Sequence, residues 1–144
     1  MSVTVRLITS DEEIARCFPV MQQLRPHLKS VEQMLALTRA MLVEGAEFAV
    51  LEHEGEVATV AAFRIRTMLV SGITMYVDDL VTAEAMRSHG HGKTMLEWLM
   101  NYARQRGCET FSLDSATFRQ EAHAFYFREG MRITAFHFQS KLNV

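Results

Sequence analysis

The sequence predicts one α/β or α+β domain, in which strand-like and helix-like segments alternate along the chain. Its 144 residues are 49% hydrophobic and 22% charged, values that suit a single domain with a substantial core. Segments with period-2 hydrophobic alternation adjoin segments with helical spacing. At the centre, a glycine-containing loop, RSHGHG at residues 87–92, joins a strand to a long amphipathic helix.

The first half of the chain is predicted to contain two helical regions and four strands. Ser10 and Glu13 form a capping box that opens the first helix, and Pro19 is expected to kink or divide that helix. A similar signal at Ser30 opens the second helix, which is expected to end near Gly45. The strands are predicted at residues 3–8, 46–52, 57–66 and 73–81.

The second half is predicted to alternate between helices and strands. Met95, Leu96 and Leu99 fall at helical spacing after the glycine loop, and Gly107 is expected to close this helix. A strand is then predicted at residues 110–115, a short helix at 120–129 and a last alternating strand at 131–139. Repeats, low-complexity tracts and linkers do not interrupt this order, so the prediction is a single domain over residues 1–144.

The charge balance argues against nucleic acid as a partner. The net charge is −2 and the pI is near 6.3, whereas duplex binding draws much of its affinity from a basic surface. Residues 1–86 carry 12 acidic and 7 basic side chains, a net charge of −5, while residues 87–144 carry a net charge of +3. The asymmetry suggests that the acidic half meets a cationic partner and the basic half an anion, and chance variation of a solvated surface is the alternative.

The cysteines and the N-terminus favour a soluble protein of a reducing cytoplasm. Cys17 and Cys108 are far apart, and neither has a CxxC partner that would indicate a disulfide framework or a zinc knuckle. The N-terminal residues lack the apolar core of a signal peptide, and no stretch of about 18 apolar residues indicates a membrane span. We therefore expect no membrane partner.

The loop at residues 87–92 has three interpretations: a phosphate site, a metal site or an ordinary turn. Glycines before a helix N-terminus let an anion approach unpaired N–H groups, which favours phosphate. His89 and His91 lack a third ligand at zinc spacing, so we expect no metal, and we expect both to lie on the surface or to flank the anion. The loop matches neither the P-loop nor the dinucleotide-binding pattern.

Two motifs carry a resemblance to a known family. RSHGHG at residues 87–92 matches the R/Q-x-x-G-x-G/A motif of the GCN5-related N-acetyltransferases (GNAT), and AHAFYFREGM at residues 122–131 resembles their A-x-x-x-Y-x-x-x-G-F segment. Met131 stands where that family usually has Phe. The resemblance covers nearly the whole chain and implies a small bacterial member. It also implies a central mixed, mostly antiparallel sheet, flanked by helices and splayed at its central strands.

The resemblance further implies acetyl transfer from acetyl-CoA to a primary amine of a small molecule, peptide or protein. The pyrophosphate of acetyl-CoA would bind the loop, the pantetheine arm would pair with the splayed strand, and a backbone N–H of that strand would bind the developing oxyanion. The implied cofactor-binding residues are Leu80, Val81, Thr82, Arg87, Ser88, His89, Gly90, His91, Gly92, Lys93, Thr94 and Tyr126.

An acceptor amine must lose a proton before it attacks, so a base is required. Asp78 and Asp79 end the strand that leads to the loop, and strand alternation predicts that their side chains point to opposite faces. One of them is therefore expected to face the acceptor, with Glu84 as a third choice. The alternative is that these aspartates hydrogen-bond a loop or bind a cationic substrate.

By analogy with the family, Tyr126 lies near the CoA sulfur and assists the departing thiolate. Full proton transfer from a tyrosine with a pKa of about 10 to a thiolate of about 8.5 is uphill, so the expected role is hydrogen-bond donation. The alternative is that Tyr126 only packs, because Phe125 and Phe127 beside it show that this helix is aromatic.

Two rival functions are a CoA-binding sensor without turnover and a nucleotide-phosphate binding protein. Trp98 is consistent with a homodimer contact.

Overall fold

The structure is a computed structural model that describes residues 2–143. These residues fall into two units, the first extending through Leu113 and the second beginning at Asp114. The first unit has the elements β1 Val3–Ile8, α1 Asp11–Ala15, α2 Phe18–Leu24, α3 Val31–Val43, β2 Glu47–His53, β3 Glu56–Met68, β4 Gly72–Thr82, a 3₁₀ turn Glu84–Met86, α4 His91–Gln105 and β5 Thr110–Leu113. The second unit has α5 Gln120–Arg128.

The strands of the first unit form one mixed sheet in the order β1-β2-β3-β4-β5. Neighbours from β1 to β4 are antiparallel, whereas β4 and β5 are parallel. The predicted mixed, mostly antiparallel sheet with flanking helices is therefore confirmed. These strands begin and end within two residues of the predicted bounds.

The pairing between β4 and β5 covers only part of β4. The two strands pair only where residues 74–77 of β4 lie beside residues 110–113 of β5, and β4 continues to Thr82. Residues 78–82 therefore extend past the end of β5 while they keep β3 as a neighbour on their other side. The end of this pairing agrees with the predicted splay of the sheet beside β4, while a divergence of two longer strands stays a prediction.

Both faces of the sheet are covered by apolar side chains. One buried cluster joins the sheet to α1, α2 and α3 and includes Ile14, Met34, Phe48, Val60 and Val81. The other joins the opposite face to α4 and includes Phe63, Met75, Val77, Met95 and Leu99. Full burial of one such side chain contributes roughly 1.5–3 kcal/mol. These clusters fix α4 and the end of β4, which flank the glycine loop.

The start signals read from the sequence are present in α1 and α3, and in α3 Ser30 Oγ accepts the N–H of Gln33 at 3.1 Å. Ser10 Oγ accepts the N–H of Glu13 at 3.1 Å, and Glu13 Oε1 accepts the N–H of Ser10 at 3.4 Å, which completes the capping box. Pro19 lies in the first turn of α2, so the helical region is divided into α1 and α2 as predicted.

The predicted strand at residues 131–139 is wrong. The second unit has no regular element there, and Ile133, Phe136 and Phe138 are 67%, 83% and 91% exposed. The apolar positions change phase within the segment, because Ile133 and Ala135 share one side whereas Phe136 and Phe138 share the other. Such a pattern does not give one continuous apolar face to pack on a sheet.

Candidate active site

The glycine loop lies between the 3₁₀ turn that follows β4 and the first residue of α4. Ser88 and Gly90 both adopt left-handed backbone conformations, with φ of 68° and 78°. Glycine takes this conformation without steric cost, and a Cβ built at Gly90 would meet no heavy atom within 4 Å. The loop thus turns sharply and leaves open space beside Gly90.

The first turn of α4 presents backbone N–H groups that have no intrahelical acceptor. The N–H of Thr94 makes an early helical bond, to the carbonyl of Gly90 at 3.0 Å, so the amides of His91, Gly92 and Lys93 precede the helical ladder. Gly90 makes no side-chain cap. Together with the helix dipole, these amides favour an anion, and the residues therefore fit a pyrophosphate.

Most side chains around this turn are accessible. Arg87 lies back over β4, where its Nε donates to the carbonyl of Thr82 at 3.2 Å, and its side chain is exposed. Ser88, His89 and Lys93 are also exposed. Arg87 of the loop and Lys93 of α4 are therefore two cations that can approach an anion from solvent.

His91 does not lie on the surface, which contradicts one alternative of the prediction, while the other alternative, a position beside the anion, stays a prediction. It is buried, and its Nε2 lies 3.3 Å from Nδ1 of His53, the last residue of β2. Burial lowers the pKa of His91, and the neighbouring His53 and His89 lower it further. The neutral imidazole is thus favoured, and this contact anchors the start of α4 to the sheet.

A β-bulge changes the direction of the two aspartates near the end of β4. Ala62 pairs with Asp79 and Phe63 pairs with Val77, so Asp78 is the additional residue of β4 at this point. A bulge interrupts the alternation of side chains along a strand. The prediction that Asp78 and Asp79 point to opposite faces is therefore wrong, since both bind arginines on the side covered by α2 and α3.

Asp78 is half-buried and binds an arginine of the sheet. Arg64 Nε donates to Asp78 Oδ2 at 3.0 Å, and Arg64 Nη1 donates to Glu44, the residue after α3, at 3.1 Å. Burial raises the pKa of Asp78, and Arg64 partly opposes this shift. This carboxylate is held in a network that joins the strand to α3.

Asp79 binds the arginine that follows α2. Arg25 Nε donates to Asp79 Oδ1 at 2.7 Å, and Arg25 Nη2 donates to the backbone carbonyl of Asp78 at 3.0 Å. The side chain of Asp79 is 15% exposed, against 42% for Arg25. The pair fixes Asp79 at the wall of a cavity.

This cavity, of about 250 Å³, lies between α1–α3 and the sheet. Apolar side chains such as Ile14, Met34 and Phe48 form much of its wall. Its lining also includes Asp79, Arg25, His27, Thr38 and Cys17. Burial raises the pKa of Cys17 to about 11, so this thiol is neutral at physiological pH.

The residues that follow Asp79 connect the cavity to the loop. Val81 is buried, Leu80 is half-buried against the α4 cluster, and Thr82 Oγ1 lies 3.0 Å from Thr59 Oγ1. Glu84, the third choice for a base, is exposed, and its backbone N–H donates to Gln23 at 2.8 Å.

Tyr126 lies in α5 of the second unit and is half-buried. Burial raises the pKa of Tyr126, and Arg119 in the same unit partly opposes this shift. The phenol is therefore protonated at neutral pH and can donate a hydrogen bond.

Sequence reasoning missed Arg25, Arg64 and His53. Each binds a predicted site residue from a distant part of the chain, 54, 14 and 38 positions away. None of the three lies in a motif, so the only sequence signal was an arginine or histidine near a helix or strand end. Among residues 2–143, no three histidine, cysteine or acidic side chains are grouped to hold a metal ion.

Comparison with protein families and sequences shows what this chain is similar to. The profile of the acetyltransferase (GNAT) family matches residues 11–131. An uncharacterized N-acetyltransferase, YhdJ of Bacillus subtilis strain 168, is 29% identical over 124 residues, which are 86% of this chain and 87% of that protein. Aminoalkylphosphonate N-acetyltransferase of Salmonella typhimurium is 36% identical over 66 residues, 46% of this chain and 43% of that protein.

Solved structures share the fold at low sequence identity. A GNAT family acetyltransferase of Staphylococcus aureus has a TM-score of 0.82 and 15% identity, covering 99% of this chain and 100% of the other. Aminoglycoside N-acetyltransferase AAC(6')-Iy in complex with CoA has a TM-score of 0.85 and 14% identity, covering 99% and 96%. Within residues 2–143, the helices are too short or too polar to cross a membrane.

Proposed function

Since the chain belongs to the acetyltransferase (GNAT) family, we propose that it transfers the acetyl group of acetyl-CoA to a primary amine of a small molecule, peptide or protein. The observation that carries this proposal is the position of the end of β4. Asp79 contributes to the wall of a cavity, and Thr82, three residues later, is bound by Arg87 of the glycine loop. A strand rises about 3.3 Å per residue, so roughly 10 Å separates the two points.

The loop supports the binding of CoA through its phosphates. Backbone amides of His91, Gly92 and Lys93 converge at the start of α4, and the accessible side chains of Arg87 and Lys93 supply positive charge. When bound, acetyl-CoA supplies an activated thioester carbonyl. Ser88, His89, Gly90 and Thr94 complete the proposed cofactor-binding segment.

Residues 78–82 of β4, which extend past the pairing with β5, support the binding of the reacting carbonyl. Backbone groups on that side are free of the parallel pairing. Of the two candidate donors, Leu80 and Val81, we assign the developing oxyanion to the N–H of Leu80, with Thr82 beside the pantetheine arm. The N–H of Ala83 donates to Ala58 of β3, and the alternation of an antiparallel ladder directs the N–H of Val81 to β3 as well. A backbone donor placed where charge develops in the transition state stabilises it without any side chain.

The base that prepares the amine is proposed to be Asp79. An amine with a pKa near 10 is protonated at neutral pH, and the carboxylate at the cavity wall can receive its proton directly or through water. The neutral nitrogen then bonds to the carbonyl carbon and loses its second proton to water, the carbon–sulfur bond breaks to complete the amide, and the thiolate takes up a proton from water. Asp78, held by Arg64, is the second choice.

Tyr126 is proposed to donate a hydrogen bond to the departing sulfur. Its raised pKa supports this role, because the phenol keeps its proton at neutral pH. Full transfer to a thiolate is disfavoured for the same reason. Water is then the final proton source for the thiolate.

We propose further that residues 1–144 form one N-acetyltransferase domain of a bacterial cytoplasmic protein. The family match runs from residue 11 to residue 131 and thus includes parts of both units. Cys17 and Cys108 are free, which suits a reducing compartment. A homodimer is compatible with this proposal.

The proposal is tested by free-thiol release from acetyl-CoA with a panel of polyamines, aminoglycosides, amino acids and short peptides, beside calorimetric titration with CoA. Release that depends on one class of amine supports acetyl transfer and identifies that acceptor class. Tight CoA binding without release from any amine would instead support a sensor. Preference for ATP over CoA would contradict both.

A further inference from the structure

We propose that the acceptor is a small monoamine with an apolar body, which lies in the cavity between α1–α3 and the sheet while its amine lies at Asp79. This inference rests on the proposed acetyl transfer and goes beyond it by assigning the substrate class. The wall of this cavity contains Asp79, the carboxylate proposed as the base. Its chemistry therefore decides which amines fit.

The wall of the cavity selects for apolar surface. Ile14, Phe48 and Val60 line it and are 2%, 3% and 2% exposed, so an occupant that reaches them leaves water. A polar body would lose its hydrogen bonds to water against these side chains. Each buried methylene of an apolar body instead strengthens binding about fourfold.

The charges at the wall favour an acceptor with one amino group over an acceptor with several. Asp79 is paired with Arg25 at 2.7 Å, so these two lining residues together carry no net charge. A polycation such as a polyamine or an aminoglycoside would bring further positive groups against Arg25. A monoamine brings one positive charge, which Asp79 can hold until the proton is removed.

The acidic excess of the first half of the chain does not alter this conclusion. Many of its carboxylates are already in ion pairs: Glu13 with Arg6, Glu52 with Arg6 and Arg16, Asp11 with Arg39, and Glu44 and Asp78 with Arg64. These pairs lower the field that a polycation would encounter near α1 and α3. The charge of the first half predicts a cationic partner, and these ion pairs indicate that this partner carries one amino group rather than several.

The size of the cavity limits the apolar body. Its volume is about 250 Å³, whereas an engineered cavity of about 150 Å³ holds benzene. One aromatic ring with a short alkyl chain, or an alkyl chain of similar volume, therefore fills it. An arylalkylamine with the ring among Ile14 and Phe48 places its amine toward the polar part of the wall.

The first test measures kcat/KM for straight-chain alkylamines from ethylamine to hexylamine, for 2-phenylethylamine, and for spermidine and kanamycin. We expect kcat/KM to rise about fourfold with each methylene until the cavity is filled. 2-Phenylethylamine should exceed ethylamine by at least about 10²-fold, since it buries far more apolar surface. A flat alkylamine series, or a preference for spermidine or kanamycin, would overturn the inference and leave acetyl transfer standing.

The second test changes the cavity itself. Leu37 lines the cavity and is 51% exposed, so Leu37→Lys adds a positive charge at the wall without burying it deeply. Ala36→Lys adds the same charge to an exposed neighbour on α3 that does not belong to the lining. We expect Leu37→Lys to lower kcat/KM for 2-phenylethylamine about tenfold or more and Ala36→Lys to leave it unchanged. Equal effects of the two variants would contradict the proposed location.

A filling variant gives a readout that general damage to the fold would not. Thr38 is 5% exposed and lines the cavity, so Thr38→Leu reduces its volume. We expect the selectivity for hexylamine over ethylamine to fall about tenfold, because two or three methylenes no longer fit. If Thr38→Leu does not fold, Leu37→Lys still decides the question.

The design separates failure of this inference from failure of the proposed function. If no amine releases CoA, acetyl transfer is contradicted, and calorimetry with 2-phenylethylamine and the CoA-loaded protein still tests the cavity. Binding that Leu37→Lys weakens and Ala36→Lys does not would uphold the apolar amine site. Absence of binding would overturn it.

Discussion

At the scale of single residues, two adjacent carboxylates are given different tasks by their partners. Asp78 is held by Arg64 in a network that reaches Glu44. Asp79 is held by Arg25 at the wall of the cavity. Neighbouring acids whose environments differ in this way commonly divide structural and chemical roles. The β-bulge at Asp78 makes this possible, because it brings both side chains to the same side of the sheet.

Asp79→Asn should lower turnover and leave the affinity for CoA intact. The amide cannot receive the proton of the amine, and loss of a general base typically costs 10²–10⁴-fold in rate, so we expect kcat to fall by about 10²-fold or more. The remaining rate should rise toward the pKa of the free amine, near 10, which moves the pH profile upward. Steady-state kinetics from pH 6 to 10 and calorimetry with CoA measure both effects.

Asp78→Asn is the matched control for this experiment. It removes the same charge from the adjacent residue, but it weakens the link to Arg64 rather than the cavity wall. We expect a lower melting temperature with the shape of the pH profile preserved. An unchanged profile in Asp79→Asn would remove Asp79 as the base, and a shifted profile in Asp78→Asn would assign that role to Asp78.

Tyr126→Phe should reduce kcat while CoA binding stays the same. The substitution removes the phenol that is proposed to donate to the departing sulfur and keeps the ring that packs in α5. We expect a loss of about 10²-fold, within the range for a positioned acid. Phe125→Leu in the same helix controls for altered packing. Equal rates for Tyr126→Phe and the unaltered protein would favour a packing role for Tyr126.

The pKa of Tyr126 gives a related expectation for the unaltered protein. Because burial raises this pKa above its ordinary value near 10, the donor form persists at alkaline pH. The rate should therefore not fall between about pH 7 and 9 through loss of this proton. Stopped assays in overlapping buffers across that range measure how the reaction rate depends on pH.

Residues recognised from the sequence are those whose spacing carries information. Gly90 was identified because a glycine before a helix N-terminus lets an anion approach the backbone, and the structure adds that its φ is 78°, a conformation that glycine adopts without steric cost. Arg25 was not identified, because its bond to Asp79 depends on how α2 packs against β4, 54 positions away. His91 was identified for its backbone, while the direction of its side chain toward His53 depends on β2.

At the scale of elements, the glycine loop and α4 act together as the proposed anion site. The loop supplies open space at Gly90, the helix supplies its first amides, and the partly buried His53–His91 contact holds the helix start against β2. A pre-formed site of this kind needs little reorganisation to bind phosphate. Its affinity should therefore depend on the shape of the first turn more than on any one side chain.

Gly92→Glu should abolish CoA binding. A carboxylate at the second residue of α4 would occupy the space before the amides and repel the phosphates by like charge. Ala36→Glu adds the same charge at an exposed position of α3 and should leave the affinity unchanged. Calorimetric titration at fixed salt compares the two, because electrostatic affinity is salt-dependent. Micromolar binding by Gly92→Glu would refute the phosphate assignment.

Helices and strands were predictable where local sequence signals, such as caps and prolines, agreed with the packing of the segment in the fold. The capping box at Ser10 and the proline at residue 19 determine helix ends within the chain segment itself, and both features are found. Residues 131–139 lack such agreement, because Ile133 and Phe136 belong to opposite sides of an extended chain. Strand formation needs a partner for backbone hydrogen bonds, and alternation alone does not provide one.

At the scale of the whole molecule, ion pairs place arginines beside many carboxylates of the acidic first half, although its acidic side chains still outnumber its basic ones. Arg6 bridges Glu13 and Glu52, joining α1 to β2, and Arg39 joins α3 to Asp11 of α1. The half-sequence charges could be counted from composition, but their pairing could not, because it depends on how the elements pack. The net charge of a segment is therefore a poor guide to the field at one site.

These ion pairs give the stability of the protein a defined pH dependence. The pKa of Glu13 is lowered to about 2, first by Arg6, and the pKa values of Glu52 and Asp11 are lowered by Arg16 and Arg39. A carboxylate with a lowered folded-state pKa contributes stability above its unfolded pKa, near 4, and loses it as pH falls through the folded value. The melting temperature should therefore fall steeply between about pH 4.5 and 2.

Two other groups modify this curve with known signs. The lowered pKa of His91 adds stability that is present above about pH 6.5 and is lost as pH falls through its folded value. Asp78 has the opposite sign, because its raised pKa reduces stability as pH rises above its unfolded pKa. We therefore expect His91→Gln to remove the part of the melting-temperature loss that begins as the pH falls below about 6.5.

Glu13→Gln isolates the ion-pair contribution, because glutamine preserves the capping box with Ser10 and removes the charge that Arg6 binds. We expect the variant to lose less melting temperature than the unaltered protein between pH 4.5 and 2. The difference should shrink in 1 M NaCl, since salt screens exposed charges. Glu12→Gln changes the adjacent residue of α1 and is the control. If both variants reduce the fall in melting temperature between pH 4.5 and 2 equally, that fall reflects net charge, and the Arg6–Glu13 pair does not determine it.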